Sequence, residues 1–176
     1  MKTYTFTLVL EGPQRIDDDI ADKLFESGCA DALPGGRYGV DTIEFDREAN
    51  SFREAVMSAK RNVERADERL HVCRVEPSDL VTIAEIGRRC DRTRENIRQM
   101  VIGERGSKDF PLPIHGVLSK SPLWSWAQVA QWLAEKKMIG DDVLEQAKGI
   151  EQINHELRAD PHVEIIPASL QGTTIA

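Results

Sequence analysis

Cysteine is scarce and scattered in this chain. Cys29, Cys73 and Cys90 are an odd set with no C-x-x-C pair, which argues against a disulfide framework and for reduced thiols. No H-x-x-x-H pair exists either. Any grouping of His71, Cys73 and His115 with Cys29 or Cys90 lacks the spacing of zinc ligands, so no metal is expected. Long apolar runs are missing: nothing approaches the roughly 18 residues of a membrane span. Residues 1–7 lack the apolar core of a signal peptide, so a cytoplasmic protein without membrane contact is expected. Nucleotide and hydrolase signatures are absent too. Gly35-Gly36-x-x-Gly39 has no following Lys-Ser/Thr, and no serine sits in a nucleophile-elbow context. The sequence therefore predicts neither an enzyme nor a cofactor. Positive charge is in deficit, with 23 Lys+Arg against 30 Asp+Glu and a net charge of −7. As a total, that speaks against a nucleic-acid partner.

What is present changes the picture. The 176 residues suit one large domain or two small ones, and 40% hydrophobic with 30% charged residues excludes a wholly disordered chain. The charge is unevenly spread. Residues 1–79 carry 11 basic and 17 acidic side chains, residues 80–140 carry 10 and 6, and residues 141–176 carry 2 and 7. A basic middle of +4 lies between flanks of −6 and −5.

Hydrophobic periodicity divides the chain at the same places. Tyr4, Phe6, Leu8 and Leu10 alternate with Thr3, Thr5, Thr7 and Val9, which predicts a strand with one face in the core. Asp17-Asp18-Asp19 predicts a helix start, followed by a buried stripe of Ile20, Ala21, Leu24 and Phe25 that ends at Gly28. A weak strand over 30–33, a Pro34-Gly35-Gly36 turn and a strand containing Ile43 and Phe45 are expected next. Ser51 and Glu54 form a capping box for a second helix, and a strand over 70–75 completes the unit. The order β-α-β-β-α-β within residues 1–76 is the ferredoxin-like pattern.

The middle region, 80–140, opens with another capping box at Thr82 and Glu85 and a short helix. Asp91-Arg92 makes a turn, and Thr93 starts a second helix with Ile97, Met100 and Val101 inward. Gly87, Asp91 and Ile97 satisfy the helix-turn-helix spacing: a small residue where the helices cross, a residue tolerant of the left-handed region at the turn, and a branched anchor. Arg94, Glu95, Asn96, Arg98 and Gln99 are polar and occupy the part of a second helix that meets base edges. Arg88, Arg89, Arg92, Arg105 and Lys108 surround it and can neutralise phosphates, with Thr93 at the helix start beside them. On charge alone, a solvated and salt-bridged helix pair is an equal reading. Trp124, Trp126 and Trp132 are expected in the core rather than stacked on bases. A last helix is expected over 141–159, with a short strand near 163–166 in the remaining tail.

The stretch from Leu80 to Lys137 resembles the winged-helix DNA-binding domains of the MerR and phage-excisionase type. The Gly87–Ile97 spacing resembles that family's helix-turn-helix. Phe110-Pro111-x-Pro113 resembles the start of its wing, and Trp124-Ser125-Trp126 with Trp132-Leu133 its third helix. The resemblance implies base contacts from Arg94, Glu95, Asn96, Arg98 and Gln99, and backbone or minor-groove contacts from Lys108, His115 and Lys120. Asp91 at the turn and Cys90 in place of a larger aliphatic residue depart from the family pattern. The fold expected is thus α+β: a ferredoxin-like domain, a winged helix-turn-helix domain, and a C-terminal segment over 141–176. The function expected is a sequence-specific double-stranded DNA-binding protein, a prokaryotic transcriptional regulator acting as a homodimer. Two alternatives stay open: an antitoxin-like module whose N-terminal domain binds a protein partner, and an excisionase-like architectural protein.

Overall fold

The computed structural model describes residues 1–12 and 16–159, so the tail strand expected near 163–166 lies outside it. The chain is a mixed α+β protein. Strands β1 (Lys2–Leu10), β2 (Ala32–Arg37), β3 (Val40–Ala49) and β4 (Val72–Glu76) form one sheet in the order β2-β3-β1-β4, with every neighbouring pair antiparallel. Phe6 pairs with Phe45 and Leu8 with Ile43, so the alternation read from β1 puts both pairs on one buried face. The Phe6 and Phe45 rings stack at 5.5 Å, and Phe52 meets Phe6 edge-on at 5.9 Å. Helices α1 (Asp18–Glu26) and α2 (Phe52–Ala66) contribute to the core on that face. The other face carries the exposed Thr5, Glu44, Asp46 and Glu48 and the buried Val9.

The helix starts follow the capping residues. Asp17 accepts the Ile20 amide and Ser51 accepts the Glu54 amide, each satisfying a donor with no partner inside its helix. Two expectations need correction. Phe25 is 68% exposed, because it lies one helical step beyond the Ile20–Leu24 face. Pro34-Gly35-Gly36 is no turn but part of β2, paired with Ile43, Thr42 and Asp41. An edge strand tolerates proline because one side of it makes no ladder bonds. The reversal comes at Tyr38-Gly39, both at positive φ (55° and 78°), as a two-residue hairpin requires.

A second core gathers around helices α3 (Ile83–Arg89), α4 (Arg94–Val101) and α5 (Trp126–Glu135). Strand β5 (Leu80–Val81) pairs with β6 (Trp124–Ser125) beneath them. All three tryptophans are buried in this core. Helix α5 ends at Glu135, with Lys137 at φ 57° just beyond it.

Helix α6 (Asp141–Arg158) belongs to both cores. Val143, Leu144 and Ala147 pack on the second; Ile150, Ile153 and Leu157 are buried in the first. Gly149 lies so close to Phe52 that a Cβ there would come within 2.9 Å of the ring. Arg53 of α2 grips Glu156 with two bonds of 3.1 and 2.8 Å. The Asn154 amide bonds both the N–H and the C=O of Val75, at 2.7 and 3.0 Å, as a neighbouring strand would.

Near α1, Arg47 is almost wholly buried. Its guanidinium bonds Asp31 at 2.7 and 2.8 Å and the Gly28 carbonyl at 3.0 Å. Bonding to Arg47 holds the Asp31 carboxyl below the usual aspartate range. Asp31→Asn should lower folding stability by about 1–3 kcal/mol at pH 7, since it leaves Arg47 under-satisfied. The ion pair contributes fully above the ordinary aspartate pKa of 3.8 and is lost as pH falls through the lower folded value. Denaturant melts of both proteins should therefore differ at pH 7 and converge below that value.

Candidate nucleic-acid interface

The α3–turn–α4 unit is built by local rules. Thr82 caps α3 by accepting the Glu85 amide at 3.2 Å, and Thr93 caps α4 by accepting the Asn96 amide at 3.1 Å. Between them Asp91 stands at φ 52°, in the left-handed region. Gly87 carries the crossing. A Cβ at this position would meet the Arg92 carbonyl oxygen at 2.7 Å, and the Arg92 amide bonds the Gly87 carbonyl at 2.8 Å. Ile97 is fully buried and Met100 nearly so, which fixes the inward face of α4.

The outward face holds Arg94, Glu95 and Arg98, all exposed; Asn96 and Gln99 are half-buried. Glu95 grips Arg98 through contacts of 2.9 to 3.1 Å, and Arg98 draws the Glu95 carboxyl below its ordinary value. Exposed pairs of this kind are weak and screened by salt, so an incoming anion can compete for Arg98. Asn96 differs: its Oδ1 is buried without a partner, so only part of the side chain is available outward.

The arginines of α3 divide. Arg88 is exposed and bonds Glu85. Arg89 is turned inward, 11% exposed, bonded to Glu85 and the Ser78 carbonyl, with its guanidinium 5.1 Å from the Trp126 ring centre. It joins the connecting segment to the second core. Both arginines pull the Glu85 carboxyl below its ordinary value, Arg88 more. The i,i+3 and i,i+4 spacing from Glu85 is legible in the sequence; the inward turn of Arg89 is not. Arg92 is half-buried, with its Nε enclosed and unpartnered.

After α4 the chain runs without regular structure to β6. Arg105 and Lys108 are exposed there. Phe110 packs on Trp132 at 5.0 Å, and the Trp124 indole donates to the Pro111 carbonyl at 3.0 Å, so the Phe-Pro-x-Pro segment is fastened to the core. His115 and Leu123 bridge, closing a small hairpin whose tip is 116–119. Lys120 and Arg94 both line a groove of about 270 Å³ with Thr82 and Trp124. The structure thus brings Lys120 of the hairpin beside Arg94 at the start of α4, while Arg105 and Lys108 follow the far end of that helix.

Other candidate chemistry is dispersed. Burial raises the Cys29, Cys73 and Cys90 thiols, and all three are free. Among the described residues, no three His, Cys, Asp or Glu side chains gather as a metal site, and no helix is long and apolar enough to cross a membrane. Asp17 is spent on its cap, and the glycine cluster lies in β2 and its turn. Comparison with known protein families, curated proteins and solved structures finds no match to this chain.

The crossing makes opposite demands on its two special residues. Gly87→Ala should destabilise the α3–α4 unit by about 1–3 kcal/mol, because the clash is with backbone. Asp91→Gly should stabilise it by up to about 1 kcal/mol by relieving the left-handed strain. Tryptophan-monitored urea melts read both, since all three tryptophans lie in this core.

Proposed function

We propose that the protein binds double-stranded DNA in a sequence-specific manner and regulates transcription in a prokaryotic cell. The observation that carries this reading is the close crossing at Gly87, with the Asp91 turn, that leaves Arg94, Glu95 and Arg98 exposed along one face of α4. In this proposal α4 enters the major groove. Arg94 and Arg98 read guanine edges, and Glu95 positions Arg98 or accepts from cytosine. Asn96 and Gln99 read adenine with the part of each side chain that is accessible. Arg88, Arg92, Thr93, Arg105, Lys108, His115 and Lys120 meet phosphates or the minor groove, while Arg89 serves the fold.

In the same reading, residues 1–76 are ferredoxin-like, a proposal supported by the strand order and the two helices on one face. Residues 80–140 form a winged helix-turn-helix. Two copies of the chain bind as a homodimer, because a single head of this size gains affinity from a second one on a palindrome. The exposed acidic face of the sheet supports the second reading, in which this domain also holds a basic protein partner.

Selection of bound duplexes from a random pool, repeated at two salt concentrations, tests the proposal. The full chain should enrich one motif and bind it less tightly as salt rises. Arg94→Ala should weaken binding to that motif about tenfold to a hundredfold and relax preference at one position. Arg88→Ala should weaken all sequences alike. No enriched motif together with salt-independent binding would overturn the reading.

A further inference from the structure

The wing ends in a tip whose chemistry the α4 reading leaves unused. The Ser119 amide donates to the Gly116 carbonyl at 2.8 Å, which makes Val117 and Leu118 the two central residues of a turn. Turn centres ordinarily take glycine, proline, asparagine, aspartate or serine, each for a backbone reason. Valine and leucine offer none. Neither packs: Leu118 is fully exposed and Val117 is 64% exposed. Leu112 and Ile114, on the arm leading to the tip, are exposed as well. Their contribution to folding is therefore slight, and they keep apolar surface in water.

The surroundings say what such a tip meets. In a chain with 30 acidic side chains, no acidic residue occurs from 110 to 134. His115 and Lys120 flank the tip, and Lys120 shares a groove with Arg94. An apolar point flanked by His115 and Lys120 on an acid-free stretch matches a polyanion with an apolar interior, namely stacked base pairs behind phosphates. The base of the hairpin is also fastened, by the His115–Leu123 bridge and the Trp124–Pro111 bond, so the tip can bear load.

We propose that Val117 and Leu118 form a wedge that enters the minor groove beside the α4 site, inserts between two base pairs and kinks the duplex. This inference rests on the DNA-binding reading. Side chains of this size inserted at a base step bend duplexes by about 20–90°, and a flexible pyrimidine–purine step should be preferred at the insertion point.

The test uses the full chain and the selected duplex, about 30 base pairs long and labelled at both ends for energy transfer. Fluorescence anisotropy on the same duplex reports binding separately. Wild type should bind and bring the ends closer. Leu118→Ser, and the double variant V117S/L118S, should bind about tenfold more weakly and leave the duplex straight. Lys120→Ala should weaken binding yet keep the bend. Because both tip residues are solvent-exposed, the serine variants should keep the wild-type melting temperature. Binding without end-to-end shortening, or equal shortening by L118S, would overturn the wedge while leaving the α4 reading intact. Loss of self-association in L118S by light scattering would also overturn it, assigning the tip to a second copy. Absence of any anisotropy change would remove both readings.

Discussion

One buried amide ties this protein together. Asn154 is 1% exposed and lies on the helix that enters both cores. A buried amide is costly unless its donors and acceptors are met, and here they are. Its oxygen takes the Val75 N–H, and its nitrogen bonds the Val75 carbonyl and reaches Asp79 at 3.3 Å. Asp79 in turn receives two bonds from Arg158, and its own carbonyl accepts the first amide of α5. Ser125, the cap of that helix, donates to Glu151 of α6 at 2.6 Å. The edge strand of the sheet, the connecting segment and the second core therefore all bond α6. These bonds run from the sheet through α6 and the connecting segment to the start of α5, and so link the second core, which holds α4, to the sheet.

That arrangement gives the uneven charge a geometric meaning. Arg88, Arg94 and Arg98 are exposed on α3 and α4, whereas Glu44, Asp46 and Glu48 are exposed on one face of the sheet. For the proposed DNA-binding function, acid on that sheet face repels a duplex and base on α3 and α4 attracts it, so approach becomes orientation-dependent. The same acid would restrain non-specific binding, which is overwhelmingly a phosphate effect. A net charge of −7 is then compatible with a basic binding face, because field and contact depend on distribution rather than on the sum.

The parts legible in the sequence are those set by local rules. Caps at Asp17, Ser51, Thr82 and Thr93 all accept the amide expected of them. Period-two alternation placed β1 and β3, and the Gly87–Asp91–Ile97 spacing located the helix crossing. What local rules do not carry is pairing and direction. Pro34-Gly35-Gly36 carries every turn signal, yet it pairs as an edge strand because Tyr38-Gly39 supplies the reversal. Arg89 counts as a basic residue on paper, but the Ser78 carbonyl and the Trp126 ring draw it inward. Asn154 looks like any polar residue on a helix. Its role depends on β4, 79 positions away, and no periodicity encodes that contact.

The claim that α6 joins the two cores into one cooperative unit is open to a direct measurement. All three tryptophans report on the second core alone, whereas far-ultraviolet circular dichroism reports on the whole chain. Urea unfolding of the wild-type protein should give coincident transitions by the two probes, as two-state unfolding requires. Asn154→Ala should lower the midpoint and pull the two curves apart. Separate transitions in the wild type, or coincident and unshifted curves in the variant, would contradict the account.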